Sequence, residues 1–150
     1  MAIIEYLNDV FGGLLPADPV GRARVRALSY AIAMEIAPIC NLSVRNYVAA
    51  ASGRSVSVID WQVHYISKGL SAFEVMLNHP SAGRFCHRDQ ISVADLCLVP
   101  QIYNAEWVRI DVASFPHIAR IMSNLEAIPA VAAAHPDRVK PAVPNNGQPR

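Results

Sequence analysis

Apolar residues recur along this chain at helical spacing almost from its first residue. Ile3, Ile4, Leu7 and Val10 make a one-faced stripe over residues 2–11. Gly12-Gly13 stops it, as glycines past a helix end do. Asp18-Pro19 then reads as an N-cap followed by a first-turn proline. Behind it Val25, Leu28, Ile32, Ile36, Ile39 and Leu42 repeat at threes and fours. Pro38 lies inside this run and predicts a kink, because it removes an amide donor and crowds the preceding turn. Gly53 closes the segment, and Ser57 to Asp60 predicts a capped new start. The stripe of that next helix is Ile66, Leu70, Phe73 and Leu77. Gly69 among them predicts close helix contact, since glycine otherwise weakens a helix by about 1 kcal/mol.

Asn78 to Ser81 reads as a loop. The sharpest local signal comes next. Ile91-Ser92-Val93-Ala94-Asp95-Leu96 combines a capping box, Ser92 with Asp95, and a hydrophobic staple, Ile91 on Leu96. Cys97 is expected to face inward together with Leu96. A further helix starts near Phe115-Pro116 and carries Ile118, Ile121, Leu125 and Ile128. Pro129 opens a short alanine-rich turn that ends by His135-Pro136. Residues 136–150 are proline-rich and read as a wrapped or disordered tail. No strand pattern and no internal repeat appears, so the expected fold class is all-α, a helical bundle.

Composition narrows the function classes without choosing one. Hydrophobic residues make up 53% of 150, enough for one sizeable core. A net charge of +1 offers no footprint for nucleic acid or an anionic membrane. The apolar runs break well short of the roughly 18–20 residues of a membrane span, and no signal peptide is apparent. Cys40, Cys86 and Cys97 form no C-x-x-C pair and suit a reducing cytoplasm.

Candidate chemistry is sparse. His64, His79, His87, His117 and His135 are scattered without metal-ligand spacing. Cys86 beside His87 and Arg88 has a setting that lowers a thiol pKa, but packing as a small hydrophobe is the stronger expectation for all three cysteines. Arg22, Arg24 and Arg26 read as a solvated face, or as a group pairing with acids or an anion. Asn41 and Ser43 come just after the expected kink. They can hydrogen-bond a polar ligand or equally satisfy the backbone there.

Three stretches carry a resemblance. They are AIIEYL with LLPADP and RARVR; Ile39-Cys40-Asn41-Leu42-Ser43-Val44; and Ser92-Val93-Ala94-Asp95-Leu96-Cys97-Leu98-Val99-Pro100-Gln101 with Asn104-Ala105-Glu106. Together with His135-Pro136-Asp137-Arg138, they make residues 2–140 similar to the C-terminal helical domain of zeta-class glutathione transferases, the maleylacetoacetate and maleylpyruvate isomerases. The resemblance implies a division of the chain. Residues 1–13 would be the last helix of a thioredoxin-like domain, 14–135 the glutathione-transferase C-terminal bundle and 136–150 a tail.

It further implies glutathione as cofactor and a small dicarboxylate substrate, isomerised by thiol addition, rotation and elimination. The thioredoxin-like domain holds the main glutathione site and a Ser-Ser-Cys segment, so the chain is expected to be inactive alone. A homodimer, or a thioredoxin-like partner domain, is implied as well. Asn41, Leu42 and Ser43 match residues lying near glutathione; no catalytic residue and no metal ligand is assigned. Ala37 stands where the family has a polar residue, Trp107 where it has a substrate-binding Arg, and Arg88 where it has Gly. Arg109 is a weak substitute for that Arg, since two residues turn a helical side chain well off the face. The alternative is a non-catalytic interaction or assembly module of the same descent.

Overall fold

The computed structural model describes residues 1–140, and these are built from helices. Helix α1 spans Ala2–Phe11, α2 Pro19–Tyr30, α3 Ala37–Ile39, α4 Leu42–Ala51, α5 Val58–Leu77 and α6 Val93–Trp107. Then come α7 (Pro116–Glu126), α8 (Pro129–Ala133) and α9 (Pro136–Val139). A π-helical stretch, Ala31–Ile36, joins α2 to α3, and a short 3₁₀ turn, Val112–Ser114, precedes α7. Among the described residues the only β pairing is one isolated bridge, Ala82 with Arg88.

Caps account for several boundaries. Asp18 accepts the Gly21 amide at 2.6 Å, which holds its carboxyl below the usual range, and Ser57 accepts the Asp60 amide at 3.0 Å. Gly53 turns left-handed at φ 61°, and the Gly53 and Arg54 amides reach back to Ala50 and Ala49, closing α4 in a Schellman motif.

The core lies between α2, the π stretch, α5, α6 and α7. Val25, Leu28, Leu70, Phe73, Leu77, Leu98, Ile118 and Ile121 are fully buried. The predicted α5 stripe is buried throughout, from Ile66 to Leu77. Gly69 faces Ile36. A methyl on Gly69 would stand 2.5 Å from Ile36 Cδ1 and nearer still to Cγ1, so the predicted close approach is present.

At the N-terminal end of α6, Asp95 is fully buried. Its Oδ2 accepts the Ser92 N–H at 2.8 Å and the Ser92 hydroxyl at 2.7 Å, closing the capping box. Its Oδ1 accepts the Cys86 amide at 2.9 Å, which ties the 78–91 loop to the helix. Glu74 on α5 does the same service for α7, accepting the His117 and Ile118 amides at 2.7 and 3.0 Å.

Several expectations need correction. Leu42 is 59% exposed and Ile39 only half-buried, so the core stripe ends at Ile36. Leu96 is exposed while Cys97 is buried, so the two do not face inward together. The helix is interrupted at Cys40–Asn41, two residues past Pro38, after a π stretch at Ala31–Ile36. Residues 136–139 are helical, and the rest of the expected tail, 141–150, lies outside the described residues.

The arginines on α2 are not simply solvated. Arg26 pairs with Glu5 at 2.8 Å, Arg22 donates to the Pro16 and Ala17 carbonyls, and Arg24 reaches the Met76 carbonyl at 3.2 Å. These contacts pin α1 and the 12–18 connection to the bundle. Helix α1 has no fully buried residue: Ile4 packs on the core, while Ile3, Leu7, Val10 and Phe11 stay exposed. Among the described residues no single helix is long and apolar enough to cross a membrane.

Candidate functional site at the α3–α4 break

The break at residues 40–43 is the place to which both the sequence motif and the backbone point. The π stretch ends, α3 runs for one short turn, and α4 leaves at 41° to the Pro19–Ile39 rod. Asn41 is the N-cap of α4. Its Oδ1 accepts the Ser43 amide at 3.1 Å and the Ser43 hydroxyl at 3.0 Å. The backbone-satisfying role expected of this pair is therefore present, and the Asn41 Nδ2 amide stays free of it. Asn41, Leu42 and Ser43 are all exposed.

Trp61 fixes the turn from behind. Its indole N–H donates to the Ile39 carbonyl at 2.9 Å, and its ring rests against Tyr65 with centroids 4.4 Å apart. Leu42, Tyr47 and Ile59 are large apolar side chains exposed on α4 and α5. The turn can thus offer a side-chain amide, a hydroxyl oxygen, the positive end of a 10-residue helix and an apolar surface. It contains no acid or base. Cys40 is half-buried, and burial raises its thiol pKa against the lowering field of Arg45.

The other candidates resolve otherwise. Cys86 is fully buried, and burial with Asp95 alongside pushes its thiol well above the usual range, the opposite of an activated nucleophile. Cys97 is also pushed up by burial. Trp107 ends α6 and is 65% exposed.

Arg109 lies past the helix, left-handed at φ 62°. Its amide bonds Glu106 at 2.9 Å, and the Ile110 amide bonds Ala105 at 3.0 Å, a Schellman close with arginine where glycine is favoured. That backbone role is hidden in the sequence, since no glycine marks it. Arg109→Gly is expected to raise stability by about 0.5–1 kcal/mol in urea melts, by removing the left-handed cost.

Comparison with known proteins decides the family. The profile described as "Glutathione S-transferase, C-terminal domain" matches residues 57–134. Maleylacetoacetate isomerase of Rhizobium meliloti (strain 1021) is 50% identical over 144 residues, 94% of this chain and 68% of that protein. The chain belongs to the maleylacetoacetate isomerase family of zeta-class glutathione transferases.

Its fold agrees with solved members. The holo structure of maleyl pyruvate isomerase, a bacterial zeta-class enzyme, superposes with TM-score 0.87 at 33% identity, over 94% of this chain and 68% of that one. Maleylacetoacetate isomerase from Anaeromyxobacter dehalogenans 2CP-1 has dicarboxyethyl glutathione and citrate bound in its active site. It matches with TM-score 0.86 at 36% identity, over 97% of this chain and 66% of that one. The chain spans between 54% and 68% of the length of eight curated relatives.

Proposed function

We propose that residues 14–135 are the substrate-pocket domain of a glutathione-dependent cis–trans isomerase acting on a small dicarboxylate such as maleylacetoacetate or maleylpyruvate. Residues 1–13 are then the last helix of its thioredoxin-like domain. The observation that carries the reading is the 50% identity to a maleylacetoacetate isomerase across 94% of the chain. The turn's chemistry fits a peptide thiol. Asn41 Nδ2 is a free donor, Ser43 Oγ keeps lone pairs for accepting, and Leu42 gives an apolar rest. Glutathione supplies the thiolate when bound. The chain's own part is to hold and orient it, which is where positioning lowers a barrier.

Among the described residues there is no thioredoxin-like sheet. The 150-residue chain by itself is therefore expected to show no glutathione-dependent isomerisation. Mixed with the thioredoxin-like domain of a relative, it should show activity above that of the added domain. Robust turnover by the chain alone would sink the division of labour, and no gain in the mixture would sink the functional reading. The free cysteines suit a cytoplasmic setting. The exposed Leu42, Tyr47 and Ile59 offer a second copy an apolar surface.

A second reading rests on α1. Its Ile3 and Phe11 are 76% and 79% exposed. On this reading α1 is the docking face of a non-catalytic assembly module. A monomer by light scattering that binds no apolar dye removes its support.

A further inference from the structure

A second cleft lies elsewhere, between the 13–18 connection and the 87–92 loop, with a volume of about 680 Å³. His87 lines it. This side chain is only 5% exposed, and neither ring nitrogen has a hydrogen-bond partner among the described residues. Buried polar groups in native proteins are nearly always partnered, and a neutral imidazole left bare costs on the order of a hydrogen bond or more. Arg88 and Asp18, which line the same cleft, both lie within electrostatic reach of the ring.

The polar groups of the cleft divide by what they already do. Asp18 accepts the Gly21 amide at 2.6 Å, and Asp89 accepts the Arg84 amide at 2.8 Å, so both carboxylates are engaged by backbone. Arg22 sits behind the wall, donating to the Pro16 and Ala17 carbonyls. The Arg88 guanidinium makes no side-chain hydrogen bond or ion pair among the described residues, although its backbone is pinned on both sides. Its amide donates to Ser81 at 2.7 Å, and its carbonyl accepts from Phe85 at 3.0 Å. Arg88 is held left-handed at φ 54°, a conformation that a side chain adopts at a cost. Besides the Gln90 carboxamide, the unspent groups are a cation with forked donors and an imidazole with one N–H. That pair recognises an oxyanion.

We propose that this cleft binds a small molecule through a phosphate or carboxylate group, held by the Arg88 guanidinium and reaching His87 directly or through one water. The helix starts of α2 and α6 open onto the same cleft and favour the same sign of ligand, though Asp18 and Asp95 already cap them. Burial, then Arg88, lowers the His87 pKa, so the ring is the neutral partner and Arg88 the charged one.

The test is nuclear magnetic resonance on the full chain, tracking the His87 ring signals. Inorganic phosphate and then succinate are titrated at constant ionic strength against chloride. The expected result is a saturable shift with at least one of them. Saturation by phosphate alone assigns a phosphoryl ligand, by succinate alone a carboxylate, and by both the shared oxyanion chemistry. Arg88→Gly relieves the left-handed cost, so it should melt no lower than the parent while its anion affinity falls about tenfold or more. Asn41→Ala should leave the His87 response unchanged. No saturation with either anion, or Arg88→Gly binding as tightly as the parent, overturns the proposal.

Discussion

Asp95→Ala is expected to cost about 3–5 kcal/mol and to leave much of the chain unfolded at 37 °C. The side chain is fully buried and accepts from three donors: the Ser92 amide, the Ser92 hydroxyl and the Cys86 amide. Alanine strands two buried amides, at about 1–3 kcal/mol each, and removes the first-turn acid of α6. It also unties the loop that brings Phe85 and Cys86 into the core. Asp95→Asn should rescue little, because its amide nitrogen must face one donor or the other. Urea denaturation monitored by circular dichroism measures the loss. A change under about 1 kcal/mol would mean that the loop and the helix start do not depend on this contact.

Gly69→Val should destabilise by about 2–3 kcal/mol, although it replaces the poorest helix former but proline. The gain in propensity is under about 1 kcal/mol. Against it stands the buried Ile36 side chain, 2.5 Å or less from any added methyl. Ile36→Ala makes room, so the double variant should lose clearly less than the sum of the two single losses. Strict additivity would show that the two helices separate instead of overpacking.

The sequence is most readable where one helix meets the core along one face. On α5 the periodicity alone marks Ile66, Leu70, Phe73 and Leu77 as buried, and the glycine among them marks the contact. Reading fails after Ile36 for a definite reason. The π stretch at Ala31–Ile36 inserts residues at a wider turn, and each extra residue rotates the downstream helix by about 100°. Ile39 and Leu42 continue the pattern on paper but have left the core face. Helix α6 fails differently. It is apolar on nearly every side, so no stripe chooses between Leu96 and Cys97.

The candidate site is legible as a motif at Asn41, Leu42 and Ser43, and the structure places these residues together on an exposed turn. The link from Asp95 to Cys86 spans nine residues, and the unpartnered His87 depends on how a loop folds. Neither leaves a spacing for sequence to show. Arg109 holds a left-handed position that sequence reading reserves for glycine and is not visible there as a backbone site, whereas the resemblance, with glycine where this chain has Arg88, does mark that one.

On the proposed function, the Asn41–Ser43 turn is this chain's contribution to glutathione binding. Calorimetric titration of glutathione into the chain, alone and mixed with a zeta-class thioredoxin-like domain, tests it most directly. Weak or no binding alone is expected, with binding in the mixture beyond that of the added domain and a loss of about tenfold in Asn41→Ala. A mixture that binds no better than the added domain, or an Asn41→Ala chain that restores binding fully, would remove this turn from the glutathione site.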